Sequence, residues 1–236
     1  WLRYVEKEVD PQNVDRLFKD RARKMIRDVQ AAELPNNCGL WYAVSGDARF
    51  KGRSNETVDC VISSPPYLNR HDYTRIFTLE MALHFVETNQ DLISIRHKAL
   101  RSHVEAKPQN HFVLEDYRPP EKLISLIKKI KTGSKKRDKK RIPSMIRGYF
   151  EDIHLTLDSL YQRINHGGKI AFVLGNVRYA GVMVPVDEIV AKIGERVGLK
   201  VMKIIVARYT GNSAQQMGEF GRDPARESII VWQKVD

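Results

Sequence analysis

The sequence predicts an α/β domain whose sheet is mostly parallel and closes with an antiparallel strand. Short apolar runs alternate with longer segments of helical periodicity, the pattern of strands that cross over through helices. The last two apolar runs, 201–208 and 228–234, are joined by a Gly-rich stretch (209–227) without a helical pattern, which suits an antiparallel hairpin. No run of 18 apolar residues occurs in the 236-residue chain, so no membrane-spanning helix is expected.

Residues 11–33 place Val14, Leu17, Phe18, Ala22, Met25, Ile26 and Val29 at helical spacing, and Pro35 stops the run. A short apolar piece follows at 40–44, then a turn at Ser45-Gly46-Asp47. Residues 57–62 (TVDCVI) have the pattern of a buried strand and lead into Ser63-Ser64-Pro65-Pro66-Tyr67. Residues 73–87 read as a helix through Ile76, Leu79, Leu83 and Val86, with Asp72 as its N-cap. Regularity then fades across 89–142, apart from a short amphipathic helix near 121–131. A strong helix resumes at 143–165, capped by Gly167-Gly168. A strand at 169–174, a helix at 185–197 ending near Gly198 and the two final strands complete the pattern. Residues 1–88 and 143–236 thus read as one domain carrying an inserted segment, 89–142.

Net charge is +11 and concentrated in one place. Residues 128–141 (KKIKTGSKKRDKKR) hold nine Lys/Arg against one Asp, a net of +8, and the rest of the chain shares only +3. A nearly neutral domain with one basic arm points to docking on a polyanion at one place rather than to general polyanion binding. Two cysteines, Cys38 and Cys60, are too few for a disulfide framework or a zinc site, and Cys60 reads as a core residue within its apolar run. A reducing cytoplasm is expected. None of the seven histidines shows metal-ligand spacing; His71 either borders a pocket or is a surface residue. The chain opens on Trp1 rather than Met and reads as a fragment.

Pro65-Pro66 directly after a buried strand is the most informative local feature. Two prolines fix two φ angles and remove two N–H donors, and Pro65 pushes Ser64 to extended geometry. The result is a stiff turn presenting a hydroxyl, a free carbonyl and an aromatic ring at the carboxyl end of a strand, where α/β sheets bind ligands. A planar base with an exocyclic amine needs these parts: two acceptors for the N–H groups and a face to stack on.

Asp59 to Tyr67 (DCVISSPPY) resembles the catalytic motif of amino-group DNA methyltransferases, Asp/Asn/Ser-Pro-Pro-Tyr after a strand, and Gly46-Asp47-Ala48 is similar to that family's upstream Gly-Asp-Ala motif on a neighbouring strand. The resemblance covers most of residues 40–236. It implies a Rossmann-like class I methyltransferase sheet, S-adenosylmethionine as cofactor, DNA as partner, a role in restriction–modification and a cytoplasmic, nucleoid-associated location. It assigns catalysis to Ser64, Pro65, Pro66 and Tyr67. Ser64 and the Pro65 carbonyl would accept from the target amine, and Tyr67 would stack on a base flipped from the duplex. Cofactor contacts would fall to Asp47, Ala48 and Ser64, although Asp47 also suits a simple turn. A Ser in first position resembles N4-cytosine enzymes more than N6-adenine enzymes. Segment 89–142 would then be a target-recognition insertion, longer than a crossover needs. Lys135, Lys136, Arg137, Lys139, Lys140 and Arg141 would meet phosphates, the alternative being a solvated loop. Asn176 either faces the same edge or makes a turn, and Arg222, Arg226 and Glu227 form either an Arg–Glu network or a phosphate contact.

The family's Gly-rich cofactor turn and ribose-binding acid are absent from this sequence. In the order with Gly-Asp-Ala ahead of Ser-Pro-Pro-Tyr, the strands bearing them would lie upstream of Trp1. The sheet would then be short by two strands, with an apolar edge near residues 40–44. An upstream segment, a partner chain or a self-associated copy is expected to cover that edge, and this chain alone is expected to bind S-adenosylmethionine weakly or not at all. Two other readings stay open: an RNA guanine-N2 or protein glutamine methyltransferase, against which Ser64 counts, and a non-catalytic DNA-binding subunit of a split methyltransferase.

Overall fold

The structure of the protein, a computed structural model, describes residues 10–32, 43–50, 56–109, 117–211 and 214–235. The chain divides into two units, residues 1–46 and 47–236. In the first, helix α1 (Pro11–Ala31) begins where the Asp10 carboxylate accepts from the Gln12 N–H at 3.0 Å. Pro11 opens its first turn, where the missing N–H costs nothing. The apolar residues Val14, Leu17, Phe18, Met25, Ile26 and Val29 are all exposed. Pro35 and residues 40–42 lie outside the described residues, and residues 43–47 form neither helix nor strand.

The second unit is built on strands β1 (Val58–Ser63), β2 (Ile164–Gly175), β3 (Val177–Tyr179), β4 (Val182–Val184), β5 (Leu199–Thr210) and β6 (Ala225–Lys234). Strands β3 and β4 form a separate hairpin, and the other four make one sheet in the order β1-β2-β6-β5. Strand β1 pairs parallel with β2, while β6 runs antiparallel to both β2 and β5. Three strands therefore share a direction, and the antiparallel one sits between two of them instead of closing the edge. The α/β class holds, with a mixed sheet. Among the described residues β1 is a free edge, while the apolar edge expected near residues 40–44 lies largely outside the described residues.

Among the described residues seven further helices follow α1: α2 (Tyr73–Ile76), α3 (Thr78–His84), α4 (Asn89–Lys98), α5 (Glu121–Gly133), α6 (Arg141–Arg163), α7 (Val186–Arg196) and α8 (Ala214–Phe220). One face of the sheet presents Ile170, Phe172, Leu174, Ile230 and Trp232 to a single core shared with Ile146, Phe150, Ile153 and Leu157 of α6 and Ile189, Val190 and Ile193 of α7. Leu123, Ile127 and Ile130 of α5 join the same core, so this part of segment 89–142 is packed into the domain. Gly194 leaves room for the Trp232 indole, whose ring meets Phe172 edge-on at 5.7 Å.

Several local expectations are corrected. Helix 73–87 breaks at Phe77, because the Thr78 hydroxyl bonds back to the Thr74 and Arg75 carbonyls (2.7 and 3.1 Å). Gly167-Gly168 does not cap α6; the chain enters β2 at Ile164. There Gly167 takes φ +74°, and a Cβ on Gly168 would lie 2.9 Å from the Asp59 carbonyl, so the pair lets β2 approach β1. The loop between β5 and β6 contains α8, and 89–98 is a helix with a Thr88/Asp91 capping box. Cys60 is exposed rather than buried, because it stands on the free edge strand.

Candidate active site

Strand β1 ends beside the centre of the sheet, with Ser63 in register with Phe172, and delivers Ser64-Pro65-Pro66-Tyr67 to its carboxyl end. Ser64 is exposed and its hydroxyl donates to the Val173 carbonyl at 3.5 Å; Pro65 is buried. The Tyr67 ring lies against Gly175, where a Cβ would come within 3.1 Å of it, so no other residue fits there without moving the ring. The side chains of Ser64 and Glu227 lie close enough to the Tyr67 hydroxyl to act on its ionisation. Burial, reinforced by the Glu227 charge, raises its pKa, while Ser64 and Arg208 act the other way. Glu227 is itself held by Arg208 at 3.0 and 3.2 Å, across a register pair of β5 and β6. The turn is fixed downstream as well: the Tyr179 hydroxyl donates to the Leu68 carbonyl at 2.8 Å, and Arg70, at φ 68°, donates its N–H to the Ser102 carbonyl.

Tyr67 opens onto a cavity of about 280 Å³ at the carboxyl ends of the strands, lined also by Gly175, Asn176, Arg178, Phe220 and Glu227. Ser134, Lys135 and Asp138 also line it, so the turn between α5 and α6 comes to the Tyr67 site. The basic run is thus an ordered feature: residues 128–133 lie in α5, 136–140 form a turn and Arg141 begins α6. Lys135 approaches Glu219 at 3.6 Å, and Arg70 approaches Asp138 at 3.8 Å.

Asp47 and Ala48 do not line this cavity. Asp47 gives both carboxylate oxygens to Arg49 (2.6 to 3.3 Å), and the buried Arg49 reaches Asp152 at 3.1 Å and the Lys98 carbonyl at 2.7 Å. Arg101 meets the other side of Asp152 at 2.7 Å and Glu151 at 2.8 Å. Burial opposes the charges of Arg49 and Arg101, but these carboxylates hold both guanidinium pKa values above the ordinary range. This network joins residues about a hundred positions apart, which no sequence spacing signals.

Asn176 accepts from the Asp187 N–H at 3.1 Å and so closes the start of α7. Asp187 is fully buried and also takes Arg226 and Ser228 at 2.7 Å each. Burial alone would raise its pKa, but the bonds from Arg226, Ser228 and Asn176 outweigh it and hold the carboxylate below its ordinary range. Arg226 is therefore structural, whereas Arg222 and His71 are exposed. Asp72 caps α2 as expected and pairs with Arg96 at 2.9 Å. No cluster of three metal-ligating side chains occurs among the described residues, and no described helix is long and apolar enough to cross a membrane.

No family model matches the chain. It is 36% identical over 229 residues to the type II methyltransferase M.BsoBI of Geobacillus stearothermophilus, covering 89% of this chain and 45% of that protein. It is 38% identical over 184 residues to the type II methyltransferase M.AvaI of a Nostoc strain and of Anabaena variabilis, covering 75% of this chain and 38% of each relative. The chain therefore spans less than half the length of these relatives. A solved structure described as a DNA modification methylase, from Thermus thermophilus, overlaps 38% of either chain at 14% identity with a TM-score of 0.30, too slight a likeness to carry an argument. The sequence relationship is thus with part of the type II methyltransferases, which supports the resemblance of the Ser-Pro-Pro-Tyr turn to the amino-group DNA methyltransferase family.

Proposed function

We propose that this chain carries the base-binding and DNA-binding part of a site-specific DNA methyltransferase. Its target is an exocyclic base amine, N4 of cytosine in preference to N6 of adenine, and its cofactor is S-adenosylmethionine. One observation carries the reading: the Ser64–Tyr67 turn and the basic α5–α6 turn meet at one cavity. The exposed Ser64 hydroxyl and the Pro65 carbonyl would be the two acceptors for the amine. Bonding both amine protons draws the nitrogen toward tetrahedral geometry and restores its nucleophilicity, a stabilisation realised mainly in the transition state. Tyr67, kept a neutral phenol and fixed against Gly175, offers the flipped base a face. The cofactor would supply an electrophilic methyl group. The described residues do not make a whole site for it, since Asp47 is committed to Arg49 and no glycine-rich turn stands beside the free edge of β1.

That free edge favours a second element in the active protein: an upstream segment, a partner chain or a second copy covering β1. The same observation supports the reading of a DNA-binding subunit that completes its active site only with another chain. Measuring transfer of labelled methyl groups to DNA, RNA and protein tests both. DNA alone should be labelled, and Ser64→Ala or Tyr67→Ala should lower the rate by about a hundredfold or more while the protein stays folded. Near-normal turnover in both variants would end the catalytic assignment, and labelling of RNA or protein instead would change the substrate class.

A further inference from the structure

Most side-chain donors that line the Tyr67 cavity are already spent among the described residues. Ser134 and Thr210 give their hydroxyl protons to the Ile130 and Ala225 carbonyls, and Tyr179 gives its own to Leu68. Arg178 is bound to the Phe220 and Gly221 carbonyls and to Asp223, Lys135 faces Glu219, and Asn176 is turned onto Asp187 at the start of α7. Two lining residues differ, and they come two and three positions after Tyr67. Asn69 accepts from the His71 N–H at 3.1 Å. A backbone N–H can only donate, so the atom it meets is the amide oxygen, and the amide NH2 group has no partner among the described residues. The Arg70 guanidinium makes no hydrogen bond among them and approaches Asp138 only to 3.8 Å. Arg70 also holds φ 68°, a left-handed backbone that is costly for an arginine and that neighbouring bonds impose. Asn69 donates its N–H to the Tyr67 carbonyl at 2.7 Å, and Arg70 donates its own to the Ser102 carbonyl at 3.1 Å.

We infer that Asn69 and Arg70 select the target base, donating to the N3 and O2 acceptors of a flipped cytosine. The inference rests on the proposed action on an exocyclic base amine and adds the residues that choose the base. With the amine on Ser64 and Pro65 and the ring on Tyr67, the rest of the Watson–Crick edge of cytosine is N3 and O2. Both atoms are acceptors, and adenine carries only a C–H where cytosine has O2. The carboxylates of the lining cannot serve these atoms, since acceptor would meet acceptor. Two donors are matched by cytosine, whereas adenine leaves one of them covered and unpaired. A site built to bond a substrate group discriminates most strongly against the analogue that lacks it, for this reason.

The test is binding of the full chain to short labelled single strands in which one base sits among abasic positions, read by fluorescence anisotropy. Phosphates are the same in every strand, so ratios of affinity isolate the base, and a strand with no base is the reference. The base is cytosine, adenine or an aminopyridine C-nucleoside that keeps the amine and ring nitrogen of cytosine but lacks O2. Wild type should bind the cytosine strand roughly tenfold more tightly than either of the other two. Asn69→Asp keeps the oxygen that receives the His71 N–H and turns the free donor into an acceptor, so the preference should vanish. Arg70→Gly should also abolish it, and glycine adopts the left-handed backbone at this position freely, so folding is preserved. Tyr67→Ala should reduce all three strands to the reference. Binding that depends on Tyr67 but shows no cytosine preference, or a preference that survives both variants, would overturn the role of Asn69 and Arg70 and leave the base-binding reading standing. Wild-type affinities equal to the reference for every base would overturn both.

Discussion

The two faces of the sheet obey different rules. On one, Phe172, Leu174, Ile230 and Trp232 are sealed under α6 and α7. On the other, Ile62 of β1 is 79% exposed, and Ile205 and Met202 of β5 are exposed with it. The helices after the Pro-Pro turn behave like the open face: Leu79 is 71% exposed, and Ile76, Leu83 and Phe85 are exposed. Both regions are apolar in sequence, so apolar pattern alone does not say which is core. What separates them is whether a partner element is found among the described residues of the second unit. The open face and the free edge of β1 are where the remaining part of a longer relative, a partner or a second copy would sit under the proposed function. An uncovered apolar face with an unpaired strand edge is otherwise an association hazard.

The contrast between the faces should show most strongly at Trp232. Trp232→Ala empties the centre of the covered face and should cost about 3–5 kcal/mol in a denaturant titration; a loss under about 1 kcal/mol would mean that α7 is not a structural layer. A smaller effect is expected from acid. Asp187 ties α7 to β6, and its pKa lies below the ordinary 3.8. A depressed carboxylate stabilises fully above its unfolded value, and the contribution is lost as pH falls through the folded one. Stability followed by circular dichroism should therefore decline below about pH 3.8. Asp187→Asn should be less stable at neutral pH and have a shallower acid limb, and an identical limb in the variant would show that other carboxylates control it. The smallest change should come from the open face. Ile62→Ser should alter the stability of this chain by no more than about 0.5 kcal/mol, while weakening association with whatever covers β1, as read by sedimentation. A loss of several kcal/mol would show that this chain already buries the residue.

Much of the architecture is legible in the sequence because local periodicity and local covalent constraint carry it. The helix at 121–131, the strands at 57–62 and 169–174 and the helix ending near Gly198 all appear within a few residues of their expected limits. The Pro-Pro turn is the clearest, since proline fixes backbone geometry whatever surrounds it. Cys60 and the apolar residues of 73–87 are exposed against expectation for one reason: burial is a property of neighbours. An apolar run on an edge strand looks the same as one in the middle of a sheet.

Residues adjacent in the chain are enough to set the alternation of strands and helices, the stiff acceptor turn at Ser64–Tyr67 and the concentration of positive charge at 128–141. Packing had to decide that β6 enters between β2 and β5, that Glu227 reaches the Tyr67 hydroxyl and that Arg49, Arg101 and Asp152 close one buried network. It also decided that the basic run folds into a turn lining the Tyr67 cavity. These pairings join residues far apart in sequence, and hydrogen bonds and ion pairs leave no periodic mark on the chain. Only assembly of the core, which sets the order of the strands and the seat of α5 and α6, brings such residues within bonding distance.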